Sequence, residues 1–230
     1  AMIKCGGGDD GLYEDRKFEQ NIQGALANGI QVGVYFYSGA SNAREAYDEA
    51  SYCISLIRDY QITYPVAFDW ELDGDYDSVT EACETFCNVI SSYGYQPMVY
   101  SNRNRWYNNF DGEKIASKYK VWMAAYFGKF YYDSVRWTYG DDLPNFRYHY
   151  DMWQYSSRCY VDGISGQVDV DIAFFGYANY HVDTKDAVLT VTNKEIKRTY
   201  GEGIGRLTEE LNLLDGVKGI NTIGYRVFNI

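Results

Sequence analysis

The sequence predicts an α/β fold: an irregular, TIM-like barrel followed by a small C-terminal accessory segment. Three observations predict it. From Ile3 to about Tyr177, apolar strand-like runs alternate with helical stretches, the signature of βα units. The last strands of this region follow one another without full helices between them, so the barrel is irregular. Near Val182 the composition shifts to a segment poorer in aromatics, which divides the 230 residues into a barrel over 1–181 and a linker plus small unit over 182–230.

The elements follow in order. "MIKC" is a strand leading into the glycine turn "GGGDDG", whose Asp9 and Asp10 read as solvated. "DRKFEQNIQGALANG" carries apolar residues at helical spacing and stops at Gly29. "IQVGVYFYS" is a strand, and "SNAREAYDEASYCISLIRDY" is a helix that Ser41 or Asn42 can cap. The strand "YPVAFDWE", the helix "DSVTEACETFCNVISSYG" and the strand "YQPMVYS" come next. A polar stretch, "NRNRWYNNFDGEKIASKY", separates them from the strand "KVWMAAY". After a loop over 127–148, "YDMWQYSS" and "GQVDVDIAFFG" read as two strands joined by a hairpin-like segment. In the tail, "VTNKEIKRTYGEGIGRLTEELNLL" reads as one or two short helices broken at "YGEG".

Composition removes several function classes. The formal charge of -11 argues against nucleic acid, because phosphate-backbone affinity comes largely from Lys and Arg. No run approaches the roughly 18 apolar residues of a membrane span. "GGGDDG" lacks the spacing and the Lys of a phosphate loop. The five cysteines show no metal spacing and read as reduced, buried thiols, and with only two histidines a Ser-His-Asp triad or a His-rich metal site is not expected. Neither a metal nor a cofactor is expected. Hydrolytic chemistry here has to run on carboxylates. The 25 tyrosines suit carbohydrate, since flat rings stack on sugar faces while the hydroxyl reaches sugar hydroxyls.

The carboxylates stand out in "YPVAFDWELDG", where Asp69 and Glu71 close an apolar run. Residues two apart on a strand point to the same side, so both enter one site. Functional groups of a parallel barrel collect at the carboxyl ends of its strands. Other strands here also end in polar or aromatic groups: Tyr35 and Tyr37, Tyr100, Tyr126, Gln154, then Asp169 and Asp171. Close carboxylates disfavour double ionisation, so one holds a proton near neutrality, as glycoside hydrolysis requires. The rival reading of the stretch is a solvated acidic turn before Asp73, Gly74 and Asp75.

The set "GVYFYS", "PVAFDWE", "MVYS", "VWMAAY", "MWQYSS" and "GQVDVDIAFF" resembles glycoside hydrolase family 25, lysozymes that cut peptidoglycan after N-acetylmuramic acid. The resemblance runs from residue 1 to about 177. It implies an N-acetylmuramidase on a flattened (β/α)5(β)3 barrel, with Glu71 as the catalytic acid, Asp69 as its electrostatic partner and Asp169 as the late-strand aspartate. It also implies a cleft lined by Tyr35, Tyr37, Tyr100, Trp122, Tyr126 and Gln154. Asp171 stands where the family's motif has Asn. Whether Asp69 attacks, or the substrate's acetamido group assists, stays open.

Family members open with a strand carrying "DVS" or similar, whereas this sequence starts at "AMIKCGGGDD", which matches their second strand. An upstream segment carrying the first strand and its Asp is the expectation, set against a chain that truly lacks it. The tail is similar to small helical wall-binding repeats of some phage lysins through Tyr200, Gly201, Gly203, Arg206 and Leu207; a plain helix cap explains it equally well. The expected partner is the peptidoglycan glycan strand, bound by a monomer acting on the wall outside the cytoplasm, either exported or released as a phage-type lysin. Two alternatives remain: a non-catalytic glycan-binding barrel, and a glycosidase on another acetamido polymer such as chitin.

Overall fold

The computed structural model describes residues 1–133, 135–137 and 141–175. The linker and accessory unit expected over 182–230 lie outside these described residues. The rest is mixed α/β, built on one curled eight-stranded sheet in the order β2-β1-β3-β4-β5-β6-β7-β8.

Strand β1 (Met2–Gly7) runs parallel to β3 (Gly33–Ser38), and the short β2 (Tyr13–Glu14) folds back antiparallel along its other edge. β4 (Val66–Trp70), β5 (Pro97–Asn102), β6 (Lys120–Ala124) and β7 (Met152–Cys159) extend the parallel ladder. β8 (Val168–Ala173) closes the order antiparallel to β7, the hairpin that the sequence suggests. Among the described residues β2 and β8 are the two edges of the sheet, which is therefore an open half-barrel.

Helices α1 (Phe18–Ala27), α2 (Ala43–Ile57) and α3 (Tyr76–Ser92) connect the early strands. Their ends follow the local sequence. The Asn42 side chain accepts from the Arg44 and Glu45 amides at 3.0 and 3.1 Å, so Asn42 rather than Ser41 is the cap of α2. Asp75 does the same for α3 through the Ser78 amide at 3.1 Å. Gly29 has φ +69°, a left-handed conformation that suits glycine after a helix. The polar stretch after β5 forms two short helices, α4 (Arg103–Asn108) and α5 (Gly112–Ala116), and the aromatic loop after β6 opens with α6 (Gly128–Tyr132).

Strand alternation divides the side chains into two layers. Val34, Phe36, Val66, Phe68, Trp70, Val99, Val121, Met123 and Trp153 join the large core shared with the helices. The intervening residues Ala67, Met98, Tyr100, Trp122, Ala124 and Met152 form a second, smaller cluster on the concave face. Full burial of each large side chain contributes about 1.5–3 kcal/mol, and this fixes which face every strand turns inward. Because the period is two, Tyr35, Tyr37, Asp69, Tyr100, Trp122 and Gln154 share the concave face. That is what makes a site.

Candidate active site

The register aligns these residues in a row across the strands. Tyr37 lies opposite Asp69, Asp69 opposite Tyr100, Tyr100 opposite Trp122, and Gln154 opposite Asp171. A cavity of about 830 Å³ on this face is lined by Tyr35, Asp69, Glu71, Tyr100, Trp122, Gln154, Asp169 and Asp171. A second cavity of about 630 Å³ shares Glu71 and Tyr100 with the first and is walled by Tyr126. Glu71 thus stands between two halves of one cleft. Tyr37 lines neither half, yet burial and then the charges of Glu71 and Asp69 hold its pKa up.

The two carboxylates of β4 differ sharply in setting. Asp69 is 4% exposed, and its Oδ1 is buried with no hydrogen-bond partner among the described residues. Burial and then the neighbouring Glu71 push its pKa well up, against the pull of Lys4. Glu71, one residue past the strand, is half-buried and opens to both cavities. Burial raises its pKa and Asp169 adds to this, while Arg105 and Lys4 oppose. A buried charge without a partner is costly, so the pair is poised to share one proton rather than carry two charges.

The aromatic wall is hydrogen-bonded into place. The Tyr100 hydroxyl donates to Gln154 Oε1 at 2.7 Å, and the Tyr126 hydroxyl donates to the same oxygen. The Tyr100 and Trp122 rings meet edge to face at 4.5 Å between centroids. Trp122 Nε1 donates to Asp171 Oδ1 at 2.6 Å. Withdrawal from water pushes the Asp171 carboxyl up to about 7, with Asp169 adding to the shift and the Trp122 N–H opposing it. Asp169 is exposed, and its pKa is raised by partial desolvation. Since β8 runs antiparallel, it brings its aspartates to the cleft from its beginning, whereas the other strands bring theirs from their ends.

Two cations beside the cleft carboxylates escape the sequence reading. Lys4, on β1 opposite Tyr35, lies 4.8 Å from the Tyr37 ring centre and acts on both β4 carboxylates. Arg105 on α4 acts on Glu71 and is held by its Nε donating to the Leu72 carbonyl at 2.9 Å. Lys4 had a signal: it alternates with the core residues Ile3 and Cys5 in "MIKC", so it points to the concave face. Arg105 had none. The glycine turn proves structural: a Cβ on Gly8 would fall 2.1 Å from Glu49 Oε1, and Asp9 and Asp10 are exposed as expected. All five cysteines are free and buried, also as expected.

Comparison with known proteins places this geometry. Residues 1–164 match the model of glycosyl hydrolases family 25. The chain is 26% identical over 164 residues to the autolytic lysozyme of Clostridium acetobutylicum, covering 69% of this chain and 44% of that protein. It is 29% identical over 137 residues to the lysozyme of Streptococcus phage Cp-1, covering 55% and 37%. It therefore spans less than half the length of these two relatives. Among solved structures, the CTP1L endolysin superimposes with a TM-score of 0.62 at 25% identity, over 81% of this chain and 62% of that one. The modular autolysin LytC of Streptococcus pneumoniae superimposes with a TM-score of 0.59 at 27% identity, over 74% and 39%. The curled sheet, its row of concave-face residues and the match over residues 1–164 agree: the chain belongs to glycosyl hydrolase family 25.

Proposed function

We propose that the chain is a peptidoglycan hydrolase that cuts the β-1,4 bond between N-acetylmuramic acid and N-acetylglucosamine, with Glu71 as general acid and base. One observation carries this reading: Glu71 is the half-open member of a strand-end carboxylate pair at the centre of an aromatic-walled cleft.

The chemistry follows from the pair's coupling. Glu71 faces substrate, and burial holds its proton on. With Glu71 neutral, its push on Asp69 disappears, and Lys4 favours the ionised Asp69 against the burial that is the larger influence on it. Protonated Glu71 donates to the glycosidic oxygen as the bond breaks. Asp69 and Asp169 set negative charge against the oxocarbenium-like transition state, and the Glu71 carboxylate then takes a proton from the incoming water. Tyr35, Tyr100, Trp122 and Tyr126 offer ring faces and hydroxyls to the sugars, and Gln154 fixes two of those hydroxyls. The similarity to proteins named lysozyme and autolytic lysozyme supports the substrate.

The place of action in this reading is the bacterial wall, outside the cytoplasm, and no helix of the described residues is long and apolar enough to cross a membrane. Residues 182–230 would serve as a wall tether, raising the local concentration on an insoluble polymer.

The test is product analysis on purified peptidoglycan and on chitin by mass spectrometry. Muramic acid at the new reducing ends, with chitin uncut, supports the muramidase. N-acetylglucosamine ends from both polymers contradict it.

A further inference from the structure

The two halves of the cleft are lined by different sets of charges. The larger half holds Asp69, Asp169 and Asp171 with Arg136, whereas the smaller is lined by Arg103 and Arg105 of α4 together with Asn104, Asn108 and Asp73. In a chain whose formal charge is -11, these two arginines beside the candidate acid balance the two acids of the same pocket, Glu71 and Asp73. Arg105 is committed: it holds the Leu72 carbonyl and lies 3.7 Å from the exposed Asp73. Arg103 is exposed, and none of the described residues forms an ion pair or a side-chain hydrogen bond with it.

We infer that the α4 pocket is a subsite for the carboxylates of a peptide stem carried by the glycan, with Arg103 as their principal contact. The inference rests on the muramidase reading and specifies which polymer the enzyme selects. A planar guanidinium pairs with a carboxylate through two parallel N–H bonds, and neighbouring carboxamides donate to the same oxygens. A chain of N-acetylglucosamine alone carries no anion. The muramyl unit bears a lactyl group extended by a peptide stem, and the stem carries free carboxylates. An arginine pocket opening from Glu71 therefore distinguishes these two polymers at the bond being cut. It does so without adding positive charge to the half-site where the oxocarbenium-like ring would form.

The experiment compares the rate of reducing-end release from intact peptidoglycan with that from the same glycan treated with an amidase, which removes the stem carboxylates and leaves only the lactyl carboxylate on the sugar. The wild-type chain and Arg103→Gln are assayed on both. Loss of one charge-assisted contact corresponds to about a tenfold change in kcat/KM. The wild type should prefer stem-bearing glycan by about that factor, and the preference should shrink with added salt. R103Q should lose the preference for stem-bearing glycan, and Arg103→Lys should restore part of it. Equal wild-type rates on both glycans, or an R103Q variant that keeps the preference, overturns this inference and leaves the muramidase reading standing. Failure of the folded wild type to cut either glycan overturns the muramidase reading and the inference with it.

Discussion

Strands β4 and β8 each present two acidic residues separated by one position, yet the two pairs are built for different work. In β8, the Asp171 carboxylate is held by the Trp122 N–H at 2.6 Å and Asp169 is exposed, so each acid has either a partner or water. In β4, Asp69 is sealed in with an unpartnered oxygen directly beneath Glu71. Identical spacing gives a satisfied pair in one strand and a frustrated pair in the other. A frustrated pair exchanges a proton readily, which is what acid–base catalysis needs.

The contrast is tested most strongly at Glu71. Glu71→Gln removes the transferable proton, and activity on peptidoglycan should fall by about 10²–10⁴-fold with the thermal midpoint little changed. Asp69→Asn should separate stability from function. Replacing a carboxyl whose ionisation is opposed by burial and by Glu71 should raise Tm by a few degrees at alkaline pH, while hydrolysis falls by about a hundredfold. A thermal melt and a reducing-end assay on the same preparation check both.

Asp171→Asn should matter least to the reaction, because the amide oxygen still accepts from Trp122 Nε1. Activity within about fivefold of wild type is the expected outcome. Its effect belongs to stability. The folded protein keeps the Asp171 proton up to about pH 7, well above the 3.8 of an ordinary Asp, so it binds more protons than the unfolded chain in that window. Stability is therefore lost as pH rises from about 4 to 7, and D171N should flatten that decline in denaturant titrations.

Glu49 supplies the same sign away from the cleft. It is 4% exposed and accepts from Ser38 Oγ and the Gly39 amide at 2.5 and 2.8 Å. Burial pushes it up to about 7 from 4.5. Its ionisation should cost stability on the order of 3 kcal/mol between pH 4.5 and 8, and Glu49→Gln should remove that slope. An unchanged slope in E49Q would place the loss elsewhere.

Most of the sheet was legible because burial and strand period speak the same language. "PVAFDWE" alternates Val66, Phe68 and Trp70 toward the helices with Ala67 and Asp69 toward the cleft, and each neighbouring strand repeats the pattern. Apart from Tyr37, which lines neither cavity, the site positions named from the sequence surround one cleft for that reason. What escaped was set by tertiary neighbours rather than by local pattern. Glu49 sits in "REAYDEAS" looking like any exposed helical acid, and only the close approach of Gly8 and Ser38 reveals it as buried. The helices α4 and α5 were hidden in a polar stretch whose few apolar residues, Trp106, Phe110 and Ile115, pack inward from irregular spacing. The pairing of Trp122 with Asp171 spans 49 residues, and no motif encodes it.

The central claim is that the β4 pair, and not the β8 pair, carries the chemistry. Its most direct test is the initial rate of muramyl reducing-end release from purified peptidoglycan by Glu71→Gln beside Asp171→Asn, with both variants shown to be folded. A collapse in the first and a rate near wild type in the second is the predicted result. Comparable losses in both, or an active Glu71→Gln, would contradict it.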